Sequence, residues 1–284
     1  MGMRRATPIL STAGPPGIGP GYRICQAPLS EWRNGFRKLR AASARTRDAI
    51  FRPMRLAPAL IVSADDYGYG PSYDRGILEA AAGKAVDAVS VMVARSGPGP
   101  GPLLTTGVEI GLHLELPIEL VGDSRAGPWA REAALDALGD QLARFEAAFG
   151  RPASFLDGHH HCHAHPGLAA AIAREARSRG MPLRSVSPRH RRLLRCEGVA
   201  TADRLVGRLS EEGEALPAEL RPAIEGRGEL PPGVTEWMVH PGHADPASGS
   251  SYDRGRTEDL DLLLRLRLQP ALAAARCTHA AALL

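Results

Sequence analysis

Cysteine is scarce and scattered: Cys25, Cys162, Cys196 and Cys277 are the only four in 284 residues, and no two form a CxxC pair. Such spacing gives no disulfide framework, and a chain of this length does not need one to fold. A reducing cytoplasm is the default setting. Long apolar runs are also missing. No stretch approaches the roughly eighteen uninterrupted apolar residues of a membrane-spanning helix, and the N-terminus lacks the compact apolar core of a secretory signal. No internal repeat is visible.

Positive charge is nearly confined to one end. Residues 1–53 contain ten Lys/Arg against Glu31 and Asp48, a net of 10 − 2 = +8, and the remainder carries 25 − 29 = −4. The overall +4 therefore belongs to the N-terminal segment, and the weakly acidic body offers no case for nucleic-acid binding. Segment 1–53 reads as a disordered extension or an early start, because "MRLAPALIVSADDYG" from Met54 makes a clean domain beginning. An arginine-rich organellar transit peptide has the same look. Residues 54–284 are then one catalytic domain, and an apolar fraction of 44% supports a real core.

Beyond residue 58 strand-like and helix-like segments alternate. "PALIVSA" (58–64) is a buried-strand run ending at acidic residues, and 74–82 is a helix stopped by Gly83. "VDAVSVMVA" (86–94) is a strand, and "GPGPGP" (97–102) a loop. In "VEIGLHLEL" (108–116) the apolar residues alternate strictly with Glu109, Gly111, His113 and Glu115. Leu135, Leu138, Leu142, Phe145 and Phe149 mark a helix that ends at Gly150. A strand at 153–157, a helix at 167–179, a strand near 182–186, a helix near 202–211, a loop insertion at 213–233, a strand at 235–240 and a helix from 257 complete the chain. Alternation of this kind means a mostly parallel sheet, either an open α/β sandwich or a (β/α) barrel. Four strands end in polar clusters at Asp65-Asp66, His113, Asp157-to-His165 and His240, which predicts a (β/α) barrel-like fold, a distorted TIM-type barrel, whose mouth makes these ends neighbours.

The same ends carry the candidate chemistry. Two adjacent carboxylates, Asp65 and Asp66, repel unless a cation or proton lies between them; an acidic turn or a helix N-cap uses the same pair. His113 on a polar strand face is either a hydrogen-bonded interior residue or a ligand. One Asp and two His is a common way to hold a divalent ion with positions open to water. The second His would come from "LDGHHHCHAH" (156–165), where Asp157, His159, His161 and His163 share one side if the chain stays extended. That phase puts Cys162 on the other side. His240, fixed by Pro241-Gly242, suits a general acid or base. Arg256 either anchors a carboxylate, orders Asp65, or makes a surface salt bridge.

These motifs, in this order, resemble the YdjC/ChbG family of carbohydrate deacetylases. "SADDYG" (63–68) is similar to that family's "ADDFG"-like strand end, and "DRGI" (74–77) to its "NxGI"-like helix start. "GLHL" (111–114) is present unchanged, "LDGHHHCH" (156–163) stands for "LDSHxHxH", "HPG" falls at 240–242, and "RTEDL" (256–260) trails it. Departures are Ser63 for Asn, Tyr67 for Phe, Gly158 for Ser, and a compact segment between 117 and 134 at the substrate mouth. The resemblance implies one divalent metal ion, zinc or magnesium, held by Asp66, His113 and His159. It implies Asp65 as catalytic base and His240 as a catalytic partner. Asp157, His161, His163, Arg256 and Tyr67 fall in the supporting or substrate-contacting set. The implied reaction removes acetyl from an N-acetylated amino sugar, with no nucleic-acid partner and a homodimer allowed. Two other classes compete: a barrel phosphoesterase or amidohydrolase, which usually carries HxH on its first strand, and a non-catalytic metal- or sugar-binding module.

With Asp65 as the base, Asp65→Asn is expected to keep the metal and lose roughly 10²–10⁴-fold in turnover. His113→Ala and His159→Ala are expected to lose the metal as well. Metal analysis beside a turnover assay reads both, and full activity of Asp65→Asn removes the assignment.

Overall fold

The computed structural model describes residues 57–95, 99–122, 127–208, 210, 213–267 and 269–284. The expectations for segment 1–53 lie outside the described residues. Strand β1 (Ala59–Tyr67) buries residues on both of its faces, as a central parallel strand must. With β2 (Ala88–Val91), β3 (Glu109–Leu114), β4 (Leu156–Gly158), β5 (Arg204–Val206) and β6 (Val234–Val239) it forms a six-stranded sheet of order β4-β3-β2-β1-β6-β5. Every pairing is parallel. The two edges are joined through less regular chain. Leu156 N–H donates to Pro182 and Arg184 N–H to Leu156, while Leu183 N–H donates to Ala200 just before β5. The sheet thus curls into the expected (β/α) barrel-like form, distorted at the β4–β5 side.

Helices α1 (Pro71–Ala82), α2 (Pro128–Phe149), α3 (Ala169–Ser178), α4 (Pro188–Cys196) and α5 (Arg254–Leu266) are the longest elements between or after the strands. Helix α2 shows the sequence logic most plainly. Ala130, Ala134, Leu138, Leu142, Phe145 and Phe149 recur three or four residues apart and are buried. The rings of Phe145 and Phe149 stack at 4.5 Å, and Gly150 closes the helix with φ 66°. At α1, Pro71 takes the first turn, where its missing N–H costs nothing.

Three expectations are corrected. The described residues near 202–211 include no helix; 204–206 are strand β5, paired to β6. The helix lies earlier, at 188–196, where Ser187 caps it by accepting from His190 N–H. Five of its nine residues are Arg or His, so only His190 and Leu194 mark its inner face, too few for apolar periodicity to register. The strand expected near 182–186 is reduced to a single bridge at Leu183, and the 213–233 insertion contains a helical turn at Arg221–Ile224.

The floor of the barrel is closed by chain from far along the sequence. Leu60 N–H donates to Ala275 at 2.8 Å, and Cys277 N–H to Leu60 at 3.0 Å. His279 stacks on Phe155 at 4.0 Å, with its Nδ1 2.8 Å from Glu109 and its Nε2 3.5 Å from Glu236. Burial disfavours an imidazolium here, but the two carboxylates override it and push His279 up to about 9. A folded-state value above the ordinary 6.5 contributes stability that is complete below pH about 6.5 and lost as pH rises through about 9. Between those limits the native protein is expected to lose about 2–3 kcal/mol more stability than His279→Gln. Denaturant unfolding of both at several pH values measures the difference; parallel curves contradict it.

Candidate active site and metal centre

Successive residues of an extended strand point to opposite faces, yet Asp65 and Asp66 both line the mouth. Irregular pairing between Ala64 and Tyr67 and a left-handed Asp66 (φ 73°) make this happen. Gly68 follows at φ 98°, and a Cβ there would lie 2.7 Å from the Met92 carbonyl oxygen. Only glycine fits. The same kink turns Tyr67 away. It is buried, its hydroxyl donates to the Gly99 carbonyl at 3.2 Å, and it does not line the pocket. Tyr67 therefore lies outside the pocket wall, where Tyr69 stands instead.

Register places His113 of β3 beside Asp157 of β4. His113 Nδ1 lies 2.7 Å from Asp157 Oδ1 and 3.1 Å from Ser90 Oγ. Its Nε2 is 3.2 Å from Asp66 Oδ1, and His159 Nδ1 reaches the same oxygen at 3.0 Å. One atom each of Asp66, His113 and His159 therefore lie within 4.8 Å of one another. This is the donor set expected for a divalent ion, and Asp157 fixes the ring orientation of one donor from behind.

Burial opposes ionisation of Asp66, but His113, His159 and Arg256 override it and hold the carboxyl well below the usual range. For His113 burial opposes the cation, yet Asp157 and Asp66 raise it well above an ordinary imidazole. Such a shift marks a site that lacks positive charge. Asp65, Asp66, Asp157 and Glu236 are buried against two buried guanidinium groups, Arg184 and Arg256. His279 adds a cation beside Glu236, so Asp65, Asp66 and Asp157 still outnumber the two guanidinium groups around them, and a divalent ion would supply the missing positive charge. The residues fit a metal.

Arg184 was not indicated by the sequence reading. Its NH1 donates to Asp65 Oδ2 at 2.5 Å, and its NH2 lies 2.8 Å from Asp65 Oδ1 and 2.9 Å from Asp157 Oδ2. Its Nε donates to Glu236 Oε1 at 2.7 Å. Burial would raise Asp65, but this fork keeps the carboxyl well below the usual carboxylate range. Nothing in "PLRSV" (182–186) sets Arg184 apart. Glu236 did leave a signal, a charge inside the apolar strand "TEWMV", and burial there is offset by Arg184 and His279, bringing it to about 2.

Arg256 does anchor a carboxylate, though Asp66 rather than Asp65: its NH2 donates to Asp66 Oδ2 at 2.7 Å, with Tyr73 3.9 Å beneath the guanidinium. His240 Nε2 stands 4.0 Å from Asp65 Oδ2. Its backbone N–H donates to Asp259 at 2.9 Å, and its ring packs 5.0 Å from Tyr252. Burial lowers it below an ordinary imidazole. Behind it the "HPG" turn meets α1 backbone to backbone: a Cβ on Gly76 would lie 2.5 Å from Gly242 Cα. The glycines of the "DRGI" and "HPG" segments thus set the position of His240 together.

The histidine run is not extended. It is a tight helical turn, His159–Ala164, with left-handed His160 (φ 48°) and His161 (φ 58°). His159, His160 and His161 consequently all reach the pocket, against the alternation expected. His161 makes no hydrogen bond through Nδ1, and burial together with Arg184 pushes it down to about 4. His163 is fully buried with its Nε2 3.1 Å from the Arg184 carbonyl, which corrects the expectation of a substrate contact. The pocket enclosed by these groups measures about 390 Å³.

The family model described as YdjC-like protein matches residues 59–274. The chain belongs to the YdjC family. A chitooligosaccharide deacetylase of Serratia marcescens is 30% identical over 242 residues, covering 75% of this chain and 94% of the relative. One from Klebsiella pneumoniae subsp. pneumoniae is 31% identical over 244 residues with the same coverage. A solved structure from Enterococcus faecalis V583, provisionally assigned to cellobiose-phosphate cleavage, shares the fold with a TM-score of 0.62. It is 20% identical and covers 80% of this chain and 100% of its own. No helix among the described residues is long and apolar enough to cross a membrane.

Removing Arg184 would leave the buried Asp65 and Asp157 without their guanidinium partner and Glu236 with His279 alone. Arg184→Leu is expected to cost about 3–5 kcal/mol of stability, the usual loss on breaking a buried ion pair. Arg184→Lys keeps the charge but not the fork, and is expected to lose less. Chemical denaturation ranks the two, and equal stability of Arg184→Leu and the native protein would contradict the network.

Proposed function

We propose that the chain is a metal-dependent carbohydrate N-deacetylase. Its substrate is an N-acetylated amino sugar, a chito-oligosaccharide or a related N-acetylglucosamine glycoconjugate, processed in the cytoplasm by a catalytic domain spanning residues 54–284. The observation that carries this reading is the convergence of Asp66, His113 and His159 beside the clamped Asp65, with His240 4.0 Å from that carboxylate. The names of the chain's relatives supply the substrate class.

A zinc or magnesium ion held by Asp66, His113 and His159 would polarise the acetyl carbonyl and stabilise the negative charge that develops on its oxygen. The chain's own residues do the rest. Asp157 orients His113 so that Nε2 faces the donor set. Asp65, kept ionised by Arg184, accepts a proton from the water that adds to the acetyl carbon. His240 lies 4.0 Å from Asp65 and is neutral at rest because it is buried. It becomes an acid when it receives that proton, and it then protonates the departing nitrogen as the C–N bond breaks. Acetate and the free amine are the products.

Acetate release from N-acetylglucosamine oligomers tests the reading. Activity is expected to vanish after chelation and return with zinc or magnesium. His240→Asn is expected to retain metal and lose roughly 10²–10⁴-fold in turnover. Phosphate release from a generic ester without any acetate release would place the chain in another hydrolase class.

A further inference from the structure

A second recess, of about 800 Å³, adjoins the reactive pocket, and Tyr69, His159, His160 and His161 line both. Its other walls are mixed. Arg95 Nε donates to Glu115 Oε1 at 2.8 Å, and the Arg95 guanidinium lies 4.2 Å over the Tyr69 ring. Leu116, Ile118 and Val121 add apolar surface to the same lining. Among the described residues, three wall side chains keep a polar atom with no hydrogen-bond partner: Glu115 Oε2, His161 Nδ1 and His165 Nε2. They are three of the eleven such atoms among the described residues, and a bound polar ligand would satisfy them.

A wall of aliphatic and aromatic surface with a few charged groups suits a ligand with apolar faces and hydroxyl edges. A pyranose ring has that form. We propose that this recess holds the sugar unit next to the one that is deacetylated, with Tyr69 and Ile118 against its faces and the Arg95–Glu115 pair at its hydroxyls. The inference rests on the deacetylase reading of the neighbouring pocket. Seating an adjoining unit would hold the acetylated one in place, so its binding raises kcat/KM without touching the chemistry.

The test compares acetate release from N-acetylglucosamine and its β-1,4-linked dimer and trimer by the native chain, Arg95→Ala and Ile118→Asp. Ile118 is 70% exposed, so its replacement leaves folding intact. The native chain is expected to favour the dimer over the monomer by about tenfold or more in kcat/KM, equivalent to one well-placed contact of ~1.4 kcal/mol. Each variant is expected to lose about tenfold on the dimer and trimer, through KM, with the monomer unchanged. Equal losses on monomer and dimer, or no loss on either, overturn the assignment of the recess. Absence of acetate from all three sugars with the metal-loaded native chain overturns the deacetylase reading itself, a different result from a flat dependence on chain length.

Discussion

Arg184 lies inside the barrel where carboxyl groups from three strands meet: Asp65 from β1, Asp157 from β4 and Glu236 from β6. Each of these acids is within 2% of complete burial, and none would be tolerated there without a cation. The planar fork of a guanidinium can bond several oxygens at fixed angles, which an ammonium cannot do. Its position therefore fixes Asp65 for chemistry and, through Asp157, the ring of His113. The same fork leaves Asp66 untouched, and that carboxylate is governed by Arg256 from the opposite side. Two neighbouring residues of one strand thus receive different electrostatic surroundings from two arginines 72 positions apart in sequence.

The mouth is also where the backbone departs from regular geometry. Among the described residues, the non-glycine positions with positive φ are Asp66, Lys84, His160 and His161, and three of these four line the reactive pocket. Residues in that region cost of order 1 kcal/mol or more each and persist only where the surroundings impose them. At Asp66 the kink lets two consecutive carboxylates share one face. At His160 and His161 it brings three consecutive imidazoles to one wall, which neither a strand nor a helix would allow.

Much of this was legible in the residues. The alternation of β3 and the motif ends of β1, β4 and β6 located the barrel and its mouth. Asp65, Asp66, His113, His159 and His240 all proved to be neighbours there. What escaped had physical reasons. Helix α4 hid behind its arginines, since only two of its residues face the core. Arg184 was invisible because a buried arginine and a surface arginine look alike until the fold supplies its partners. The phase of the histidine run depended on two left-handed residues, and no periodicity reports those. The burial of Tyr67 and His163 outside the pocket wall has the same cause, a local backbone turn that side-chain pattern does not encode.

The floor of the barrel carries a consequence for how the molecule comes into being. Leu60 opens the central strand, yet the backbone groups it bonds to belong to Ala275 and Cys277, and the pair Cys277–Leu60 is separated by 217 residues. During synthesis β1 emerges early and waits for more than two hundred residues before that contact can form. Glu109 and Glu236 likewise lack His279 until the same moment. Contacts of such long range make folding slow and leave partly assembled chains with exposed strand edges. For this barrel, acquiring a protected interior is a late event, governed by residues distant from the mouth where the chemistry lies.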